Sequence, residues 1–375
     1  MKYTKFIVFV LILLSIIFLY VLYYKKYYIY NINKNILKNS KNTYNLLDFN
    51  KDYSINYIMY DYLEKNNIKE FNFNFDVSEI KIYEKYKYGI AINKSNLRFL
   101  PTNKIYYKTD KNFDLLQNSE IKFNELVIIL FEYKNWYFVQ TYNTNGWVEK
   151  NNIAFFETKN DFKKYLNNNK FVVVIDKNII IDNIFIDMGV KINYVSEKDG
   201  FYILQFPIVS KNNLLDFKYI KIYKNGLNKG YLKYNKKNLL NQTYKYLNTK
   251  YSWGGKDFGI DCSGFVLNVF STFGIKLPRN SIDQQKSTGK FLEISKNFTI
   301  QDRIKLLKSI KIGSLIYFKG HIMIYIGFIN QKPYIIHALA SSLNINPLSV
   351  VITDLNIKRK NQKTFLEAIE SITLF

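Results

Sequence analysis

The chain opens on an apolar run. Phe6 to Tyr24 are nineteen residues without a charge, with Lys2 and Lys5 before them and Lys25-Lys26 after. A helix of that length covers about 28 Å, enough for a bilayer core. The run has no polar face, no small-x-small cleavage site follows it, and no cysteine is available for lipid attachment. The pattern therefore predicts an uncleaved anchor in preference to a removed signal or a core helix. Residues 27–84 then read as a polar, Asn/Lys-rich stalk or helical lead-in, with patches such as Ile55 to Leu63 able to form short helices. From Tyr88 to about Phe156 the texture changes to short β-runs, among them Glu125 to Phe131, Trp136 to Thr141 and Trp147-Val148. Asn135 and Asn145-Gly146 punctuate them as turns, which predicts a small barrel. A second stretch of the same length and spacing contains residues 171–176, 178–187, 201–209 and Gly230-Tyr231-Leu232, and predicts a second barrel. From Lys237 the chain reads as α+β. Helices are predicted over Leu239 to Leu247, from Cys262 to a stop at Gly274, and over 300–309; strands over 314–319, 321–327, 334–339 and 349–353. The predicted organisation is an anchor (1–26), a lead-in (27–84), two barrels (85–158 and 159–236) and an α+β domain (237–375).

Composition narrows the chemistry. The 375 residues carry 54 Lys+Arg against 30 Asp+Glu, a net charge of +24. The lysines are dispersed, with no basic run and no Arg-rich helix. This predicts a solvated basic surface compatible with an anionic cell envelope, and no nucleic-acid partner. One cysteine excludes an intramolecular disulfide and a Cys-rich zinc module. With two histidines in the chain, any catalytic imidazole is His321 or His337.

Asp261 is a good N-cap, which places Cys262 in the first turn of its helix. There the free backbone N–H groups and the helix dipole favour a thiolate, lowering its pKa, and could hold a developing oxyanion. His321 opens one strand and His337 lies near the end of the next. A hairpin centred near residue 330 pairs positions summing to about 660, so both imidazoles take one face as diagonal neighbours, roughly 7–8 Å apart at Cα. His321 would then be general base toward Cys262, with His337 orienting its ring. A Cys–His–His metal site completed by water and a pair of packed structural histidines are the alternatives this pattern leaves open.

These residues also resemble a known family. Tyr251-Ser252-Trp253-Gly254-Gly255, Asp261-Cys262-Ser263-Gly264, Leu277-Pro278-Arg279-Asn280-Ser281, Gly320-His321 and His337 follow the order and spacing of the NlpC/P60 cysteine peptidases over residues 237–345. Asn96 to Thr102 and Asn145 to Val148 resemble bacterial SH3 domains. The whole is similar to the subgroup with two tandem SH3 domains before the peptidase. The resemblance implies a papain-like catalytic domain, no cofactor and no metal. It implies cleavage of the γ-D-glutamyl–diamino acid bond in peptidoglycan stem peptides. Cys262 would form an acyl-enzyme; His321 would protonate the leaving amine and then activate water. Tyr251, Asp261 and Ser263 would line the pocket, and Arg279 would hold either a substrate carboxylate or an internal salt bridge. Met323 stands where many members have Gly, which implies a narrower pocket beside His321. The first SH3 domain can wall one end of the cleft and restrict substrate to stem peptides with a free L-Ala amino end. A substrate outside the cytoplasm places the catalytic domain there, held to the membrane by residues 6–24. A wall-binding scaffold with a weak or inactive peptidase fold, and an amidase or acyl transferase on the same fold, are the competing expectations.

Overall fold

The structure is a computed structural model and describes residues 11, 14–15, 27–51, 53–54, 62–65, 68, 75–107, 110, 113–341 and 348–375. Nearly all of the Phe6–Tyr24 run, and most of the Ile55–Leu63 patch, lie outside the described residues. Among the described residues no helix is long and apolar enough to cross a membrane.

The stretch expected as a stalk or helical lead-in packs on its neighbours. Helix α1 (residues 27–39) places Ile32 and Ile36 on one face, four residues apart, and both enter the core of the C-terminal domain beside Phe270 and Phe273. Asn33 clamps the contact: its Nδ2 donates to the Gly274 carbonyl at 2.8 Å, and its Oδ1 accepts from the Lys276 N–H at 2.9 Å. Further on, Leu46 and Phe49 enter the core of the first barrel. Helix α2 (Tyr62–Lys65) is a single turn.

The first barrel is one antiparallel sheet of β1 (Lys81–Ala91), β2 (Ser95–Arg98), β3 (Gln117–Ile121), β4 (Leu126–Tyr133), β5 (Trp136–Gln140), β6 (Asn145–Glu149) and β7 (Ile153–Phe155), in the order β3-β2-β6-β5-β4-β1-β7. Strand β1 begins four residues before the expected boundary at 85. The boundary at 159 shifts as well. Helix α3 (Lys159–Leu166), capped by Thr158, turns Phe162 and Tyr165 into the core of the first barrel, so its apolar face belongs there.

The second β-unit comprises β8 (Phe171–Val174), β9 (Asn178–Ile181), β10 (Ile184–Asp187), β11 (Lys191–Lys198), β12 (Phe201–Val209), β13 (Leu215–Tyr223) and β14 (Leu227–Lys229). Five form a sheet in the order β13-β12-β11-β8-β14, and β9 pairs with β10. Asp182 and Asn183 both have positive φ, as a two-residue type I′ hairpin requires.

The C-terminal domain is α+β. It holds α4 (Lys236–Tyr244), α5 (Cys262–Ser271), α6 (Ser281–Ser287), α7 (Ile300–Ser309) and α8 (Phe365–Ala368). Its strands are β15 (Lys290–Glu293), β16 (Leu315–Phe318), β17 (His321–Ile329), β18 (Lys332–Ala338), β19 (Val350–Asp354) and β20 (Ser371–Leu374), ordered β15-β20-β16-β17-β18-β19. Helix α5 covers the sheet face that carries Ile322, Ile324, Ile336 and Ala338. Met323, Tyr325, Ile335 and Leu339 turn to a second cluster with Phe318 and Phe365 on the other face.

The three units interlock. Phe123 of the first barrel enters the second unit's core and stacks on Phe206 at 4.4 Å. Lys94 bridges Glu120 at 2.8 Å and Asp187 at 3.0 Å. Gly254 and Gly255, both at positive φ, lie against β3, where an added Cβ would meet Gln117 Cγ and Glu120 Cδ at 2.7 Å each.

Candidate active site

Cys262 begins α5, as its N-cap Asp261 predicts. The Asp261 carboxylate accepts from the Gly264 N–H at 2.7 Å, the Gly254 N–H at 3.1 Å and the Ser263 hydroxyl at 3.2 Å. Arg279 completes the shell, with Nη1 to Oδ1 at 3.1 Å and Nη2 to Oδ2 at 2.6 Å. Burial alone would raise this carboxyl's pKa, but the guanidinium and the hydrogen bonds outweigh it and hold the group below the usual range. Arg279 spends its other donors on Ser263 Oγ at 2.9 Å and on Ser119 Oγ of the first barrel at 2.6 Å. Of the two expectations for Arg279, the structure shows the internal salt bridge. Nε, both hydrogens of Nη1 and one of Nη2 are engaged within the fold, on Ser119, Ser263 and Asp261.

The two histidines meet through a register device that the sequence did not reveal. The β17–β18 loop is two residues, Asn330 and Gln331, both at positive φ. It pairs Ile329 with Lys332 and Gly327 with Tyr334, a sum of 661. Continued unbroken, that register would put the two imidazoles on opposite faces. A bulge at Ile326 intervenes, and beyond it Tyr325 pairs with Ile335 and Ile324 with Ile336, a sum of 660. His321 and His337 then share a face, with His321 Nε2 and His337 Nδ1 2.8 Å apart. His337 Nε2 lies 3.2 Å from Thr353 Oγ1. Two ring nitrogens bonded to each other are not available to a common metal ion, which disfavours the metal alternative.

Cys262 and this pair start from opposite sides of the sheet. The thiol packs with Ile322 on the α5 side, while His321 and His337 ring-contact Phe365 on the other. They approach around the first residues of β17. The thiol is held by the backbone N–H of Ile322, the residue after His321, and by that of Ser263. Among the described residues no hydrogen bond joins the sulfur to either imidazole. Cys262 and His321 are 8% and 7% exposed, and His337 is fully buried.

That enclosure reverses the expected thiol shift. Burial first, then the Asp261 carboxylate, push the Cys262 pKa up to about 12, against the two N–H groups and Arg279. Burial, then the nearby charge of Arg359, push His321 down to about 3. His337 is lowered by burial and by His321. The resting pair is a neutral thiol and a neutral imidazole, because a desolvated ion pair costs more here than the helix end returns.

Tyr251 is buried beside Cys262 and Asp261; burial, then their charges, raise its pKa well above the usual range. Ser263 points at Asp261 and Arg279. Met323 is fully buried in the second cluster. The sequence reading missed Thr353, Ser119 and Arg359. It also missed Phe113, whose ring lies 6.3 Å from Tyr251 and 5.3 Å from Trp253. Each comes from a segment without a motif, so no local signal marked it.

The NlpC/P60 family matches residues 248–360, which hold the thiol, both histidines and Thr353. Residues 248–360 are an NlpC/P60 domain. The SH3 domain family (SH3b1 type) matches residues 104–149, within the first barrel. The chain is 35% identical over 95 residues to a probable endopeptidase p60 of Listeria welshimeri, covering 24% of this chain and 16% of the relative. It is 34% identical over 91 residues to a γ-D-glutamyl-L-lysine dipeptidyl-peptidase of Bacillus subtilis, covering 22% of this chain and 26% of the relative. The chain thus spans 16% and 26% of the length of these curated relatives. An NlpC/P60 endopeptidase from Photobacterium damselae subsp. piscicida superimposes with a TM-score of 0.75 over 93% of both chains at 20% identity. An NlpC/P60 family protein from Bacillus cereus superimposes with a TM-score of 0.54, covering 77% of this chain and 99% of that one at 17% identity. At those identities the likeness shows a shared fold.

Proposed function

We propose that the chain is a peptidoglycan D,L-endopeptidase that cleaves stem peptides between γ-linked D-glutamate and the diamino acid. The observation that carries this reading is the seat of Cys262: a thiol at a helix start, held by the N–H next to His321, whose ring is held by His337. The NlpC/P60 match and the relatives named as endopeptidases and as a γ-D-glutamyl dipeptidyl-peptidase support it.

With His321 Nε2 spent on His337, Nδ1 is the nitrogen left for the thiol. The tautomer this needs is self-consistent. His321 Nε2–H donates to His337 Nδ1, and His337 Nε2–H donates to Thr353 Oγ1. The Cys262 proton passes to His321 Nδ1 as sulfur attacks the γ-carbonyl carbon. The proton then goes to the leaving amine as the C–N bond breaks. Water hydrolyses the thioester, giving a proton to His321 that returns to sulfur. Backbone N–H groups at the start of α5 stabilise the oxyanion. Phe113 of the first barrel lies against Tyr251 and Trp253, which supports a wall at one end of the cleft and a preference for short peptides with a free amino end. The second β-unit reads as a further SH3-like module, and the uncharged run Phe6–Tyr24 supports a membrane anchor with the catalytic domain outside the cytoplasm.

The test is mass analysis of muropeptides after incubation with the chain from residue 27. The expected product ends in D-glutamate and is absent with Cys262→Ala. Intact muropeptides, cleavage at a sugar–peptide amide, or equal cleavage by the variant would each refute the reading; retained wall binding without cleavage would make the chain a scaffold.

A further inference from the structure

A cavity of about 330 Å³ lies where the first barrel, the second unit and the NlpC/P60 domain meet, within the size range of small-molecule pockets. It is separate from the thiol. Helix α5 turns Cys262, Phe265, Val266 and Val269 to the sheet. Its opposite face, Gly264, Leu267, Asn268 and Ser271, lines the cavity at the 3–4 residue spacing of one helical stripe. The Asp261–Arg279 pair lines it too.

The polar lining is unbalanced toward positive charge. Asp261 is neutralised by Arg279, and Glu120 by Lys94. Lys122 is bonded to Asn268 Oδ1, and its backbone N–H donates to Glu125 at 3.0 Å. Lys191 and Lys276 remain, without a carboxylate. Lys191 donates to the carbonyls of Leu166 and Asn168 at 3.0 and 3.1 Å. The Lys276 ammonium makes no hydrogen bond or ion pair among the described residues. Lys276 is solvent-exposed at the edge of the cavity and Lys191 is half-buried; burial, then the Lys276 charge, lower Lys191 to about 8. Asn193, 1% exposed, lines the same space and leaves its Oδ1 without a partner while its Nδ2 donates to the Tyr165 carbonyl. An orphaned buried acceptor is costly unless something binds there, and the two lysines beside it, without a carboxylate, favour an anion.

We propose that this junction cavity binds a compact anion, a phosphate or a carboxylate with an adjacent hydrogen-bond donor. The anion sits between Lys276 and Lys191, its donor on Asn193 Oδ1, and rests against the back of the nucleophile helix. An occupant would brace α5 against both β-units and so set the position of Cys262 from behind.

The test is calorimetric titration of the Cys262→Ala chain with inorganic phosphate and, separately, with L-alanyl-γ-D-glutamate. It does not depend on catalysis, so its failure and that of the peptidase reading are distinguishable. At least one probe should bind, and Lys276→Gln in the same background should weaken it tenfold or more while keeping the circular dichroism spectrum. Which probe binds tells phosphate from peptide carboxylate. In the chain that retains Cys262, the bound anion should change the rate of thiol alkylation by iodoacetamide, and Lys276→Gln should remove that change. No binding of either probe up to 10 mM, or equal binding with and without Lys276, would overturn the proposal.

Discussion

At the scale of single residues, burial sets the chemistry. If Cys262 is the nucleophile proposed above, Cys262→Ala is expected to lower cleavage by about 10³-fold or more, measured as kcat/KM on muropeptides, with the fold retained. Arg279→Ala leaves Asp261 buried without its counter-charge. The expected loss is about 3–5 kcal/mol in urea unfolding, with Arg279→Lys retaining part of it. The histidines give a pH signature. Both have folded pKa values depressed below 6.5, His321 to about 3. The unfolded chain takes up protons below about pH 6.5 that the native site refuses, so stability falls as pH drops from there toward 3. A urea midpoint that drops equally between pH 7 and 4.5 in the wild type and in His321→Gln would contradict this. Arg359→Gln removes a charge that disfavours the imidazolium and should move the acid limb of kcat/KM to higher pH.

At the scale of elements, the β17–β18 hairpin decides whether the two histidines can act together. Ile326 is the extra residue of the bulge, so deleting it leaves Tyr325 opposite Ile335 and both rings on one face. That deletion is expected to keep cleavage. Deleting Tyr334 while the bulge stays shifts the ladder by one, turns the rings to opposite faces and should abolish cleavage. Gly320 precedes His321 at φ +85 with open space around its missing Cβ. Gly320→Ala therefore meets backbone strain without a clash and should cost about 1–2 kcal/mol in a thermal or urea melt.

At the scale of the whole molecule, the barrels and lead-in pack with the NlpC/P60 domain as one interlocked unit. Ile32 and Ile36 bury their side chains in the NlpC/P60 core, worth roughly 1.5–3 kcal/mol each. A fragment beginning at residue 40 should melt below one beginning at 27 in differential scanning calorimetry. Equal melting temperatures would mean that α1 is dispensable. The Arg279–Ser119 bond and the Gly254–Gln117 approach couple the first barrel to the N-cap of α5, so the seat of Cys262 depends on a neighbour outside the NlpC/P60 domain.

The sequence by itself determined what repeats locally. Asp261 before an apolar helical stripe fixed the start of α5 and the place of Cys262, residues 300–309 form a helix as their periodicity predicts, and alternating β-runs marked both β-units. These are short-range properties, set by capping and by side-chain spacing along one element. Tertiary structure decided the rest. The bulge that aligns His321 with His337, the direction of the thiol shift, the partner of Arg279, and the docking of α1 and α3 all depend on what lies across from a residue rather than beside it. Desolvation and counter-charge come from groups far away in the chain, and no local pattern encodes them.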